Sequence, residues 1–548
     1  MNFVLLVVLD GWGVAAPGPG NAIAAANTSN LNNFQSSYPH TTLLASGDAV
    51  GLPTGEVGNT ETGHLNLGAG RIVFQDLERI NKSIAEGSFF TNKVILSAIA
   101  HAEKNKSNLH FMGLVGAGGV HSNLNHLYAL LHLCKTKNFD RVYLHLFTDG
   151  RDSPPSSALV YINQLRDVIK KEGIGVIASV MGRYWAMDRD KRWDRTAKAY
   201  FALTKGKGNL YKTVEEAIND SYSTGVQDEF IEPALMADES GNPLALIKDN
   251  DSVVFFNFRI DRPRQLTSAF VLTDFSKASS SFGFDPYQVQ YTKKHEEPKT
   301  KAEGTFDRGT KLANLSFVTM TQYSKPLEEA GALVAFSPEV VGMTLGRVIS
   351  EAGLTQLRMS ESEKERFVTF YFNGQQEIEY TGERRVIIPS PKVATYDKKP
   401  EMSAKELTND LIKRLSNQSN DYSFILINFA NADMVGHTGS IGAVVTACEV
   451  IDECLGKLAT AVLSFGGTMI ITADHGNAEE MIDSKTGQIE TEHSNNPVPF
   501  VVISKNLFGK QRILQRGILA DVAPTILKIL GLEVPSSMTG RNLLEGLS

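Results

Sequence analysis

Six side chains able to bind divalent cations sit at or just beyond apolar runs. Asp10 closes FVLLVVLD, Asp433 and His437 follow SFILINFA, Asp474 and His475 follow GGTMIITA, and His493 lies in the polar stretch TEHSNNPVPF. Carboxylate oxygens and neutral imidazole nitrogens suit divalent first-row metals. Asp433 and His437 are four residues apart, close enough to approach one ion from one loop. Asp474 and His475 are adjacent, so both can ligate only from a tight turn, which Gly476 would permit. Gathering several carboxylates in one place without cations is costly, and two metal ions would offset that cost. Two-metal sites commonly serve phosphoryl transfer, with one ion activating a nucleophile and the other gripping the phosphate. The glycine-rich stretch GEVGNTETGHLNLGAGR, residues 55–71, places Thr60 between Asn59 and Glu61. Thr60 is the candidate nucleophile and a further ion ligand, and Asn59 a candidate donor to a phosphate oxygen.

A second set of residues points to the substrate. Arg151 and Asp152, Arg183, Arg189, Arg259 and Arg262 all fall in short motifs beside aromatic residues or glycine. Together they suggest a pocket for a dianionic phosphate and a carboxylate, which guanidinium groups grip with two hydrogen bonds at once.

Elements of particular kinds must hold these groups. The runs at residues 3–13, 423–437 and 466–477 are apolar without alternation, the pattern of strands buried on both faces of a helix-covered parallel sheet. In such sheets ligands sit beyond the carboxyl ends of the strands, where the candidate ligands fall. A helix is expected from Ser153-Pro154-Pro155 to Gly173, another from Ile441 to Phe465, and a short one in DVAPTILKIL before Gly531. Strand and helix patterns alternate, which is an α/β architecture. A chain of 548 residues exceeds what one core usually holds, so two domains or more are expected. No internal repeat is visible. Residues 275–310 are polar, rich in Ser and Lys, and aperiodic, as in an exposed insertion or mobile loop.

With 42% hydrophobic and 21% charged residues, the chain is globular and neither disordered nor fibrous. The net charge, −7, argues against a general nucleic-acid binder but allows local basic pockets. Cys134, Cys448 and Cys454 fit a reducing compartment and no disulfide framework. The apolar N-terminus lacks a basic region and runs into Asp10, so it reads as a strand rather than a signal peptide. No apolar stretch approaches the roughly 20 residues that span a bilayer. A soluble, cytoplasmic protein without a membrane partner is expected.

The motifs VVLDGWG, GNTETGHLNLGAGR, GGVHS, DGRDSPP, GRYWAMDRDKRW, FFNFRIDRPRQ, SPKVATYDKKPEMSA, NFANADMVGHTG, TADHGNAE and EHSNNPVPF run nearly end to end. In them the chain resembles the cofactor-independent (2,3-bisphosphoglycerate-independent) phosphoglycerate mutases of the alkaline phosphatase superfamily. The resemblance implies an alkaline phosphatase-like parallel-sheet domain, residues 1–74 and 338–548, with an α/β transferase domain, 75–337, inserted into it. Two hinge crossings would let the domains close on substrate. One ion would be held by Asp433, His437 and His493, the other by Asp10, Asp474, His475 and Thr60. The ions would be Mn²⁺, with Mg²⁺, Co²⁺ or Zn²⁺ as alternatives, and no bisphosphoglycerate would be needed.

By the same resemblance, 3-phosphoglycerate would bind with its phosphate on the ions and Thr60 would become a phosphothreonine. Glycerate would stay on Arg183, Arg189, Arg259 and Arg262. Asp152 would be general acid and base, with His121 and Arg151 beside it, and Lys364 would bridge the phosphate across the closed interface. Attack by the other hydroxyl would give 2-phosphoglycerate. A monomer is expected because the domains must move. Two positions depart from the family pattern. Thr60 stands where the family has serine, and Gly116-Ala117 replaces a Ser-Asp pair before GGVHS, which would loosen the loop holding His121. The rival readings are a metal-dependent phosphatase, which would release free phosphate, and a catalytically impaired metabolite-binding homologue, which would bind without turnover.

Overall fold

A computed structural model describes residues 3–280, 304–417, 421–483, 485–510 and 512–546. The chain divides into two compact α/β units. One is Met1–Gln75 with Glu339–Ser548, and the other is Asp76–Pro338.

The discontinuous unit is built on an eight-stranded sheet. Its centre is strand Val4–Leu9, every residue of which is buried. That strand pairs in parallel with Phe424–Phe429 on one side and Thr468–Thr472 on the other. Gln356–Glu361 and Glu383–Ile388 continue the parallel set beyond Phe424–Phe429. On the other side Val498–Ile503 pairs antiparallel with both Thr468–Thr472 and His40–Leu44. Helices cover the sheet, so its central strands carry Val, Leu, Ile and Phe on both faces. Each such side chain contributes about 1.5–3 kcal/mol by leaving water, and Leu6→Ala would cost about 2–5 kcal/mol. Because the three central strands are parallel, their carboxyl ends share one edge. Asp10, Asp433 and Asp474 follow them there.

The long helix Ile441–Ser464 returns the chain to the start of Thr468–Thr472. It buries Val444, Ala447, Cys448, Ile451, Cys454, Leu455, Leu458 and Val462, a stripe at three- and four-residue spacing. It stops one residue before the expected Phe465, which caps it. Among the described residues no helix is long and apolar enough to cross a membrane.

The continuous unit has its own eight-stranded sheet, in the order Leu333–Phe336, Ser316–Thr321, Ser252–Phe255, Leu109–Val115, Val142–Thr148, Val176–Gly182, Ala234–Met236, Asn209–Tyr211. Among the described residues of this sheet, only the pairing of Val176–Gly182 with Ala234–Met236 is antiparallel.

Two expectations need correction here. The helix predicted from Ser153 starts at Ala158 and ends at Glu172. Its first turn is held from a distance: the Asp228 carboxylate accepts from Ser157 N at 2.8 Å and Ala158 N at 2.9 Å. Ser153 instead donates its hydroxyl to Asp149 Oδ2 and accepts from Ala117 N. The polar segment 275–310 is not exposed throughout. Phe275, Ala278 and Arg308 are buried, and the Arg308 guanidinium donates to the Ala269 carbonyl at 2.6 Å. Its middle, residues 281–303, lies outside the described residues.

Candidate active site

Thr60 opens the helix Thr60–Ala69, and Asn59 is its N-cap. The Asn59 side-chain oxygen accepts from Thr62 N at 2.9 Å and from Thr62 Oγ1 at 3.1 Å. This occupies the loop's other hydroxyl and leaves Thr60 as the one facing the acidic cluster. Nine of the ten helix residues are buried. A Cβ on Gly63 would fall 2.6 Å from the Asp474 carbonyl oxygen, so glycine is what lets this helix lie against the Asp474 turn.

Thr60 Oγ1 lies 2.9 Å from His475 Nε2 and 3.3 Å from Asp10 Oδ1. The Lys364 ammonium, itself buried, donates to Asp10 Oδ1 and Asp433 Oδ2, both at 2.7 Å, and to Thr60 Oγ1 at 3.1 Å. Lys364 is thus part of the acidic cluster. Burial would lower its pKa, but Asp10, Asp433 and Asp474 outweigh burial and raise it.

Beside this group, Asp433 Oδ1 lies 3.2 Å from His437 Nε2 and 3.2 Å from His493 Nε2. The two imidazole nitrogens are themselves 3.2 Å apart. Asp10, Asp474 and His475 are fully buried. His475 Nε2 stands 3.6 Å from Asp474 Oδ2 and 3.9 Å from Asp433 Oδ1, so it lies between the two sets of carboxylates.

The tautomers follow from the outer ring nitrogens. His437 Nδ1 faces the Thr491 carbonyl at 2.7 Å, His493 Nδ1 the Gly58 carbonyl at 2.9 Å and His475 Nδ1 the Gly476 carbonyl at 3.2 Å. A carbonyl can only accept, so each Nδ1 carries the hydrogen and each Nε2 lone pair points inward. Asp433 Oδ1 and Asp474 Oδ2 are buried without a hydrogen-bond donor. Lone pairs and carboxylate oxygens facing one another repel unless a cation sits among them. The residues present therefore fit divalent ions, and the outer carbonyls are the kind of partner that fixes a ligating histidine.

Without ions, protons take the cations' place. Burial would lower the pKa of His475, but Asp474, Asp10 and Asp433 hold it up at about 9. His437 is likewise raised, against burial, by Asp433. Asp433 is pulled well below the carboxylate range, against burial, by Lys364 and the two histidines.

Sequence reasoning missed two supporting residues here. His64 is one turn beyond Thr60, and its Nδ1 lies 3.0 Å from the Thr60 carbonyl and 3.2 Å from Asp474 Oδ2. Asn428 donates to Asp10 Oδ2 at 2.8 Å and contacts His64 Nε2 at 3.1 Å. Asn428 lies within its strand, so only its long-range partners mark it. Gly476 does not adopt a left-handed conformation. It is glycine for space, since a Cβ there would fall 2.3 Å from Ser494 Oγ.

In the continuous unit the predicted arginines and acids also converge. Arg183 Nη1 binds Asp149 Oδ1 and Asp152 Oδ2, both at 2.5 Å. Arg189 pairs with Asp261 Oδ2 at 2.7 Å and Arg259 with Asp261 Oδ1 at 3.3 Å. His121 sits between the two acids, 3.7 Å from Asp152 and 3.8 Å from Asp261. Arg262 donates to the Met187 carbonyl at 3.2 Å. Arg151 is the outlier, largely exposed and 3.6 Å from Glu229. Asp149 and Asp261 were missed, although Asp149 ends an apolar run as Asp10 does. Burial lowers the pKa of His121 to about 3, with Arg183 adding to it, so the ring is neutral. Burial, then Arg183 and Arg189, lower Arg262 to about 10. Arg262 is the arginine here whose described hydrogen bond goes to a backbone carbonyl rather than to a carboxylate. At the Gly116-Ala117 loop, Ala117 N donates to the Ser153 hydroxyl, and the His121 carbonyl accepts from Phe258 N at 2.8 Å.

Fold and site together define a class: an α/β protein with an Asp/His cluster of candidate metal-binding groups at the carboxyl ends of a mostly parallel sheet, and a second α/β unit inserted in the first. A family model described as the BPG-independent PGAM N-terminus matches residues 80–325. The 2,3-bisphosphoglycerate-independent phosphoglycerate mutase of Chloroflexus aggregans is 49% identical over 99% of this chain and 98% of its own. That of Clostridium kluyveri is 50% identical over 99% of both. A crystal structure of Leishmania mexicana phosphoglycerate mutase at low cobalt concentration matches with a TM-score of 0.59 and 29% identity, over 99% of this chain and 97% of that one. The chain belongs to the 2,3-bisphosphoglycerate-independent phosphoglycerate mutase family.

Proposed function

We propose that this protein interconverts 3-phosphoglycerate and 2-phosphoglycerate through a phosphothreonine at Thr60, with two divalent ions and without bisphosphoglycerate. The observation that carries this is the placement of Thr60 Oγ1, 2.9 Å from His475 Nε2 and 3.3 Å from Asp10 Oδ1, at the start of a helix. Asp433, His437 and His493 would hold one ion, and Asp10, Asp474, His475 and Thr60 the other. Bound there, Mn²⁺ (or Mg²⁺, Co²⁺ or Zn²⁺) would lower the pKa of the Thr60 hydroxyl and neutralise charge on the phosphate.

The chain's own residues do the rest. Thr60 gives up its hydroxyl proton towards the Asp10 carboxylate, 3.3 Å away, and its oxygen attacks phosphorus as the bond to the 3-oxygen of glycerate breaks. The Thr60–Glu61 end of the helix favours the negative charge gathering there, and Lys364 and the Asn59 amide donate to phosphate oxygens. Arg183, Arg189, Arg259 and Arg262 hold the glycerate carboxylate and hydroxyls. Asp152, oriented by Arg183 and beside His121 and Arg151, protonates the departing oxygen and then takes the proton of the 2-hydroxyl. That hydroxyl attacks the phosphothreonine, restoring Thr60. Excluding water during this interval separates a mutase from a phosphatase.

A monomer acting in the cytoplasm on small molecules, with no nucleic-acid or membrane partner, fits the net charge of −7 and the three free, buried cysteines. The test is to incubate metal-loaded protein with 3-phosphoglycerate and no bisphosphoglycerate, following 2-phosphoglycerate and inorganic phosphate together. Formation of 2-phosphoglycerate without phosphate is expected. Phosphate and glycerate alone would make it a phosphatase, and binding without turnover an impaired homologue.

A further inference from the structure

Glu479 touches none of the candidate ion ligands, yet its carboxylate joins the three loops that carry four of them. It is 3% exposed. Its Oε2 accepts from Gly13 N and Asn477 N, both at 2.9 Å. Its Oε1 accepts from the Ser494 hydroxyl and from Asn496 Nδ2, the latter at 3.1 Å. Gly13 is three residues beyond Asp10, Asn477 two beyond His475, and Ser494 one beyond His493. The backbone ties the same loops: Ala478 N donates to the Gly11 carbonyl and Ser494 N to the Gly476 carbonyl, both at 3.0 Å. A Cβ on Gly13 would fall 2.1 Å from Glu479 Cδ, and one on Gly476 would fall 2.3 Å from Glu479 Oε1. Two glycines thus leave room for this one carboxylate.

We propose that Glu479 is a positioning residue of the ion site, fixing the Asp10, Asp474–His475 and His493 loops at the spacing that divalent ions require. The inference rests on the metal reading above. Four donors on two oxygens are what an ionised carboxylate accepts in full. Glutamine keeps most of that geometry. Its carbonyl takes the two backbone N–H groups, which cannot turn away, while its amide faces the Ser494 hydroxyl, which can rotate to accept, and only the bond from Asn496 is given up. Alanine releases all three loops.

The test is Mn²⁺ titration of the metal-free full chain by calorimetry, with free Mn²⁺ counted by electron paramagnetic resonance. Glu479→Ala should weaken Mn²⁺ binding about 10–100-fold, the usual effect of removing an outer partner of a metal site, while Glu479→Gln stays within about threefold of wild type. Equal losses in both variants would mean that only the charge of Glu479 matters, and would overturn positioning. So would wild-type affinity in Glu479→Ala. Should Glu479→Ala fail to fold, Gly13→Ala displaces the carboxylate without removing it. It should lose affinity to a similar degree, and wild-type binding there refutes the proposal. A wild-type chain that takes up no Mn²⁺ sinks the metal reading itself, whereas wild-type uptake with insensitive variants sinks this inference alone.

Discussion

The Nε2 atoms of His437 and His493 face each other at 3.2 Å, while each ring's Nδ1 is turned outward to a backbone carbonyl. A shared cation is the simplest partner for both lone pairs and for Asp433 Oδ1. Adding Mn²⁺ at about 100 times its Kd should stabilise the wild-type protein by about 2.7 kcal/mol. Thermal unfolding of the His437→Ala/His493→Ala double variant should respond much less. An equal Mn²⁺ shift in both proteins would show that the ions bind elsewhere.

Metal uptake should also report the proton that His475 holds. An ordinary histidine loses its proton near pH 6.5, whereas His475 in the metal-free fold keeps it to about 9. A proton on Nε2 blocks ligation, so apparent Mn²⁺ affinity should keep rising from pH 6.5 towards 9. Calorimetry in buffers of different ionisation heat would count the protons released. A plateau from pH 6.5 upward would contradict the raised value.

Lys364 ties Asp10 to Asp433 inside the same cluster. Lys364→Met leaves two buried carboxylates without their cation, a loss of about 3–5 kcal/mol. Denaturant unfolding of the metal-free variant should show that loss, and Mn²⁺ should recover much of it because ions supply the missing charge. Unchanged metal-free stability would rule out the role assigned to Lys364.

Glu361 gives a pH signature independent of the ions. It is fully buried, one oxygen accepts from Ser403 N at 2.8 Å, and the other is unpartnered. Burial raises its pKa from 4.5 to about 7. Folding therefore favours the protonated acid, and that contribution is complete below pH 4.5 and is lost as pH rises through 7. The loss by pH 8 is about 3 kcal/mol. Glu361→Gln should be more stable than wild type at pH 8 and show no such gain at pH 4. A pH-independent difference would refute the assignment.

Arg262 tests the glycerate side. Arg262→Leu should leave Mn²⁺ affinity unchanged but let glycerate escape, so that water takes the phosphoryl group and inorganic phosphate rises relative to 2-phosphoglycerate. An unaltered product ratio would remove Arg262 from the pocket.

The ion cluster was legible because a strand buried on both faces must be apolar throughout, which makes an Asp at its end conspicuous. Asp10, Asp433 and Asp474 carry that signal. Asp149 carries it too, in VYLHLFTD, and was passed over. Glu479, His64 and Asn428 could not be read this way, since their partners lie up to 466 residues away in the chain. The helix start near Ser153 was misplaced for a related reason. Pro154-Pro155 imitates a first helical turn, but the group that holds the turn is Asp228. Polar composition over 275–310 likewise hid Phe275 and Arg308, because an average does not show single side chains that pack.

The central claim is that the phosphoryl group passes through Thr60. Metal-loaded wild-type protein and Thr60→Ala, each mixed with 3-phosphoglycerate, quenched in acid and mapped by peptide mass spectrometry, test it most directly. Phosphate on Thr60 in wild type, with no phosphopeptide and background turnover in Thr60→Ala, is the expected result. Turnover near the wild-type rate in Thr60→Ala would contradict it.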